Sequence, residues 1–143
     1  MKKFDDRRLY FYFSVVTAVT AAVLAALACY SMCRVEPRVK ALLSGARDID
    51  RDYRRAYLVL RRPQVFARYE NFDDAAQPVK FILREFDRRI HGGERFTGED
   101  RVYLDILLER RMQGSRLTRN TFVFFALLSI TGWIFFFYER SRA

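Results

Sequence analysis

The chain has 143 residues, 51% of them hydrophobic and 30% charged, with 26 Lys plus Arg against 17 Asp plus Glu and a net charge of +9. The charge is mixed in sign, which argues for solvated helices rather than a disordered basic tail, and net charge alone gives no reason to expect nucleic acid as a partner. One His and two Cys, Cys29 and Cys33, cannot build a structural zinc site, which needs four ligands.

Residues 1–8 form a short tail holding Lys2, Lys3, Arg7 and Arg8 against Asp5 and Asp6. An uncharged run of 25 residues follows, Leu9 to Cys33. As a helix it reaches roughly 37 Å, enough to cross about 30 Å of hydrocarbon with tilt. It is longer than the apolar core of a cleavable signal, and acidic residues interrupt the tail before it, so an uncleaved anchor is expected. Tyr10, Phe11, Tyr12 and Phe13 suit the head-group level at its start.

Small residues recur in this run at spacings of four. Ser14, Ala18, Ala22 and Ala26 make one row; Thr17, Ala21, Ala25, Cys29 and Cys33 make another. Such rows share a helix face and predict a smooth stripe where a second helix approaches closely.

Residues 34–120 hold 20 bases and 14 acids, and read as a helical extramembrane domain. Glu36-Pro37 marks an expected helix start, with apolar residues at steps of three and four from Val39 to Leu60 and a stop near Arg62-Pro63. A short element is expected at Gln64–Glu70. Val79, Ile82, Leu83, Phe86 and Ile90 predict a further helix ending at Gly92-Gly93. Thr97-Gly98-Glu99-Asp100 resembles a capping box and opens a helix carrying Tyr103, Ile106, Leu107 and Arg110, with Gly114 as its expected end. Asp48, Asp50 and Asp52 alternate with Arg51, Arg54 and Arg55, either as a solvated face or as a surface that docks other subunits.

The second uncharged run, Thr121 to Tyr138, has 18 residues and reaches roughly 27 Å. Phenylalanines give it bulk, and Trp133 and Tyr138 lie near its end. Ala126, Ser129 and Gly132 recur every three residues and predict a groove facing the first stripe or a partner helix. Residues 139–143 close the chain with Arg140 and Arg142. The expected architecture is therefore all-α, two transmembrane helices (9–33 and 121–138) joined by a small helical domain.

Both runs are flanked by bases: Arg7 and Arg8; Arg34, Arg38 and Lys40; Arg110, Arg111, Arg116 and Arg119; Arg140 and Arg142. These suit anionic phospholipid head groups, cardiolipin included, although topological anchoring alone also accounts for them. Only four of the 26 bases are Lys, and the planar Arg fork matches phosphates and carboxylates. The positive-inside count is nearly balanced, and the basic start tips the termini towards the matrix or cytoplasmic side.

No catalytic grouping, phosphate-cradling Gly loop or intramembrane ionisable residue is found, so no enzyme, cofactor, small-molecule substrate or ion path is expected. The expected role is a non-catalytic accessory subunit of a large membrane complex. An energy-converting complex of the mitochondrial inner membrane (respiratory chain or ATP synthase) is the specific expectation, with other subunits and membrane lipids as partners. The alternatives are an anionic-lipid-binding, membrane-shaping or tethering homo-oligomer, and a scaffold or assembly factor of the bacterial inner membrane.

Overall fold

A computed structural model describes residues 6–62 and 77–142. They form helix α1 (Asp6–Tyr30), a π turn (Ser31–Val35), α2 (Glu36–Ser44), α3 (Ile49–Leu60), α4 (Gln77–His91), a 3-10 turn (Gly98–Asp100) and α5 (Arg101–Arg142). No strand occurs among the described residues. Two stretches are long and apolar enough to cross a membrane: Asp6–Ser44 and Gly98–Arg142. The expected element at Gln64–Glu70 lies outside the described residues.

The chain divides into two compact units. One comprises Met1–Cys29 and Arg116–Ala143, the other Tyr30–Ser115. The first is a helical hairpin made by α1 and the second half of α5. Its helices are antiparallel, because partners descend along α5 as one ascends α1. Tyr10 stacks on Phe135 at 5.6 Å, Phe11 meets Trp133 at 5.9 Å, and Ser14 meets Ser129. Five hydroxyls of this unit are satisfied within their own helices. Ser14, Thr17, Thr20, Thr121 and Thr131 each donate to the carbonyl four residues earlier, at 2.7 to 2.9 Å. That bond satisfies each donor without help from solvent.

The second unit packs α2, α3, α4 and the start of α5 around one apolar core. Val39, Ala56, Tyr57 and Leu104 are completely buried, and Phe86 nearly so. The side chains arrive at helical spacing: Val35, Val39 and Leu43; Tyr53, Ala56 and Tyr57; Ile82 and Phe86; Leu104, Leu107 and Leu108. Phe96 comes from the loop after α4 and sits 5.2 Å from Phe86 and 6.2 Å from Tyr57, ring centre to ring centre. Burying each such large side chain stabilises the unit by roughly 1.5–3 kcal/mol.

The helix boundaries depart from the expected ones at two places. No break occurs at Glu36-Pro37. Pro37 has no N–H for the Cys33 carbonyl, and its ring needs room, so the turn before it widens and the Glu36 N–H bonds Ser31 O instead. The break falls at Gly45, whose N–H closes α2 on Ala41 O at 3.0 Å. The Asp48 side chain then caps α3 through the Arg51 N–H. Likewise Gly114 does not end the last helix. A helical glycine costs only about 1 kcal/mol, and α5 continues through it to Arg142. The stop at Gly92-Gly93 is present, with Gly93 at φ 71°. The capping box at Thr97 is also present, with Asp100 accepting from the Thr97 N–H at 2.8 Å.

A helix-packing seam and a candidate arginine cleft

In the hairpin unit the buried positions of α1 are Ser14, Thr17, Ala21, Leu24 and Ala28. Their steps alternate between three and four, an average of 3.5. Rows of strict spacing four drift around the helix, whereas alternating steps keep facing a straight neighbour. Hence Ser14, Thr17 and Ala21 lie in the seam, Ala18 and Ala25 lie half-buried at its edge, and Ala22, Ala26 and Cys29 lie on the exposed side. Those last three positions lie outside the seam with α5, and Cys33 is likewise exposed. Leu24 and Ala28 were missed because a rule based on small residues and spacing four passes over them.

On α5 the same unit buries Thr118, Ser129 and Gly132, with Ala126 half-buried. The Ser129 hydroxyl donates to the Ser14 carbonyl at 3.0 Å, a buried bond across the seam. Gly132 lies against the same residue. A Cβ there would come within 2.3 Å of Ser14 Oγ and 3.0 Å of Phe13 Cδ1. The outer side of the hairpin has the opposite chemistry. Val16 is 63% exposed, Leu127 59% and Ile134 62%, with Val19, Val23, Phe124 and Ile130 among the others. Apart from Leu24, the buried positions of the hairpin are small or hydroxylated, while many large apolar side chains lie on the outer side, a pattern inverse to that of a water-soluble fold.

The flanking bases separate into groups. Arg7 lies over the Phe136 ring at 5.7 Å and Arg142 over Tyr138 at 4.4 Å. Arg7 and Arg8 line a shallow hollow with Phe11, Tyr12 and Phe136. Arg116, Arg119 and Arg140 are exposed elsewhere on this unit.

In the helical unit the structure gathers three of the expected bases. Arg34 from the π turn, Arg38 from α2 and Arg111 from α5 line one cleft of about 840 Å³, with Tyr30 at its wall. Arg62, just past the end of α3, is the fourth. It lies far from either apolar run in sequence, so no flanking pattern marks it. Lys40 and Arg110 do not line the cleft. Burial lowers the pKa of Arg111, and the Glu36 carboxylate opposes that shift. Glu36 is itself buried.

Most of the remaining charges hold the helical unit together. Asp50 accepts from the Phe96 N–H at 2.8 Å and from Arg54 at 3.4 Å, and the Phe96 bond is the main cause holding its pKa below the usual range. Arg54 also reaches the Glu94 carbonyl at 3.3 Å. Burial pushes Asp52 up, yet Arg51 and the Arg47 N–H together hold it low. Buried Asp100 binds Arg89 at 2.7 Å. Tyr57 donates to Asp87, which also pairs with Arg61. The alternating Asp and Arg residues of α3 therefore serve internal contacts through Asp50, Asp52 and Arg54, while Arg55 remains on the exposed face. Among the described residues no cluster of His, Cys, Asp and Glu could hold a metal ion.

Comparison with known protein families, with characterised proteins and with solved structures finds no match.

Proposed function

We propose that this chain is an integral membrane protein with two spans and a non-catalytic, structural role, an accessory subunit that carries a small helical domain at one bilayer face. The observation that supports it is the inverted hairpin. Its seam uses Ser14, Thr17, Ala21, Ser129 and Gly132, and its outer side exposes valine, leucine, isoleucine and phenylalanine. In water that surface is an aggregation hazard; in lipid it costs nothing, and close packing holds the helices together. The hydroxyls bonded within their helices support the same reading.

Alkaline carbonate extraction tests the insertion. The protein stays with the membrane pellet, and protease mapping of sealed vesicles finds both termini on one side. Release into the supernatant overturns the reading. Gentle detergent extraction followed by native sizing and mass spectrometry tests the accessory role. Co-migration with a large assembly upholds it and names the host, an energy-converting complex of the mitochondrial inner membrane being the one proposed here. Migration as a small monomer in mild detergent overturns it. The arginine cleft favours a second reading, an anionic-lipid-binding homo-oligomer. Clustering or curvature produced in liposomes by the pure protein would select that reading over the first.

A further inference from the structure

We propose that the cleft lined by Arg34, Arg38, Arg62 and Arg111 is a binding site for a phosphate-ester anion. The four guanidinium groups come from four separate segments: the π turn, α2, the end of α3, and α5. Convergence of like charges is unfavourable unless an anion offsets it. Arg34, Arg38 and Arg62 form no ion pair among the described residues. Among the described residues, Glu36 is the carboxylate whose charge acts on Arg111. A volume of about 840 Å³ is that of a small-ligand site. The guanidinium fork matches two phosphate oxygens at once, Tyr30 adds a hydroxyl, and Val59 adds an apolar wall suited to a glycerol backbone.

The phosphate can belong to a lipid head group or to a free solute. The lipid source rests on the membrane reading above. Arg34 directly follows Cys33, the end of the first apolar run, so this arginine itself falls at the head-group level when that run is in the bilayer. Arg62 separates this site from ordinary basic anchoring, because it flanks neither run.

The test uses the full chain in neutral detergent and three probes: dioctanoyl phosphatidylglycerol, inorganic phosphate, and dioctanoylglycerol, which lacks phosphate. Wild-type protein binds at least one phosphate probe saturably and does not bind dioctanoylglycerol. The Arg38→Gln/Arg62→Gln variant binds at least about tenfold more weakly, as expected for losing charge-assisted hydrogen bonds. Arg38→Lys/Arg62→Lys falls between the two. Arg55→Gln/Arg84→Gln removes the same charge from exposed positions outside the cleft and binds within about twofold of wild type. Both altered cleft arginines are exposed, and unchanged helical circular dichroism confirms that folding is intact. Preference for the lipid assigns a head group, and equal binding of inorganic phosphate assigns a free anion; either upholds the cleft. Absence of saturable binding, or equal weakening by the control pair, overturns it. Should carbonate release the protein while cleft-dependent phosphate binding persists, the membrane reading fails and the cleft stands.

Discussion

Gly132 is the residue at which the hairpin admits no side chain. The 2.3 Å approach of a built Cβ to Ser14 Oγ can be relieved partly by turning the serine, but the Phe13 ring at 3.0 Å limits how far. Gly132→Leu is therefore expected to weaken the hairpin by about 1–3 kcal/mol through overpacking. The check is a disulfide between cysteines placed at Ser14 and Ser129 in a background lacking Cys29 and Cys33. It forms readily with Gly132 and poorly with leucine there. Gly45 and Gly93 act differently, as helix stops, and none of these roles can be told apart from the letter alone. The sequence does show that Ser129 and Gly132 share a face. That Ser129 bonds the Ser14 carbonyl is decided by the register of the two helices.

At the scale of elements, charge and capping do most of the work in the helical unit. Asp100 closes the capping box at the head of α5 and binds Arg89 of α4. Asp100→Ala removes the cap and leaves Arg89 without that carboxylate, at a cost of roughly 3 kcal/mol, whereas Thr97→Ala costs about 1 kcal/mol. Denaturant unfolding followed by circular dichroism in mild detergent measures both. Equal, small effects would mean that the Arg89 bridge contributes little. The box itself was legible, because its four residues are contiguous. The bridge was not, since Arg89 lies eleven residues earlier and only the turn at Gly92-Gly93 brings it back. Gly114 and Pro37 carry the opposite lesson. Both are breakers by local propensity, yet neither ends its helix. The core contacts of Val35, Val39, Leu104 and Leu108 outweigh the loss of about 1 kcal/mol at a glycine, and a π turn accommodates the proline.

For the molecule as a whole, the shifted groups bound the pH range over which the helical domain is stable. The Phe96 N–H and Arg54 lower Asp50, and Arg88 and Arg89 lower Glu85. Lowered carboxylates contribute stability that is complete above their ordinary values near 4 and is lost as pH falls through the lowered ones. Burial and then Asp87 raise Tyr57. Its contribution is complete below the ordinary value near 10 and is lost as pH rises beyond that. Stability is expected to be flat from about pH 5 to 9 and to fall on both sides. Asp50→Asn flattens the acid limb and Tyr57→Phe the alkaline limb, each read from thermal melts across pH. A melt that keeps both limbs in the double variant would show that other groups control them.

The sequence by itself determined the two apolar runs, the helical character of the charged middle, the stop at Gly92-Gly93 and the cap at Thr97. All of these follow from local composition, periodicity and turn chemistry. Tertiary structure alone decided which small residues of α1 face inward, because the seam follows a 3.5-residue period set by a neighbouring helix. It alone brought Arg62 to Arg34, Arg38 and Arg111, because a cleft is defined by where separate helices end in space.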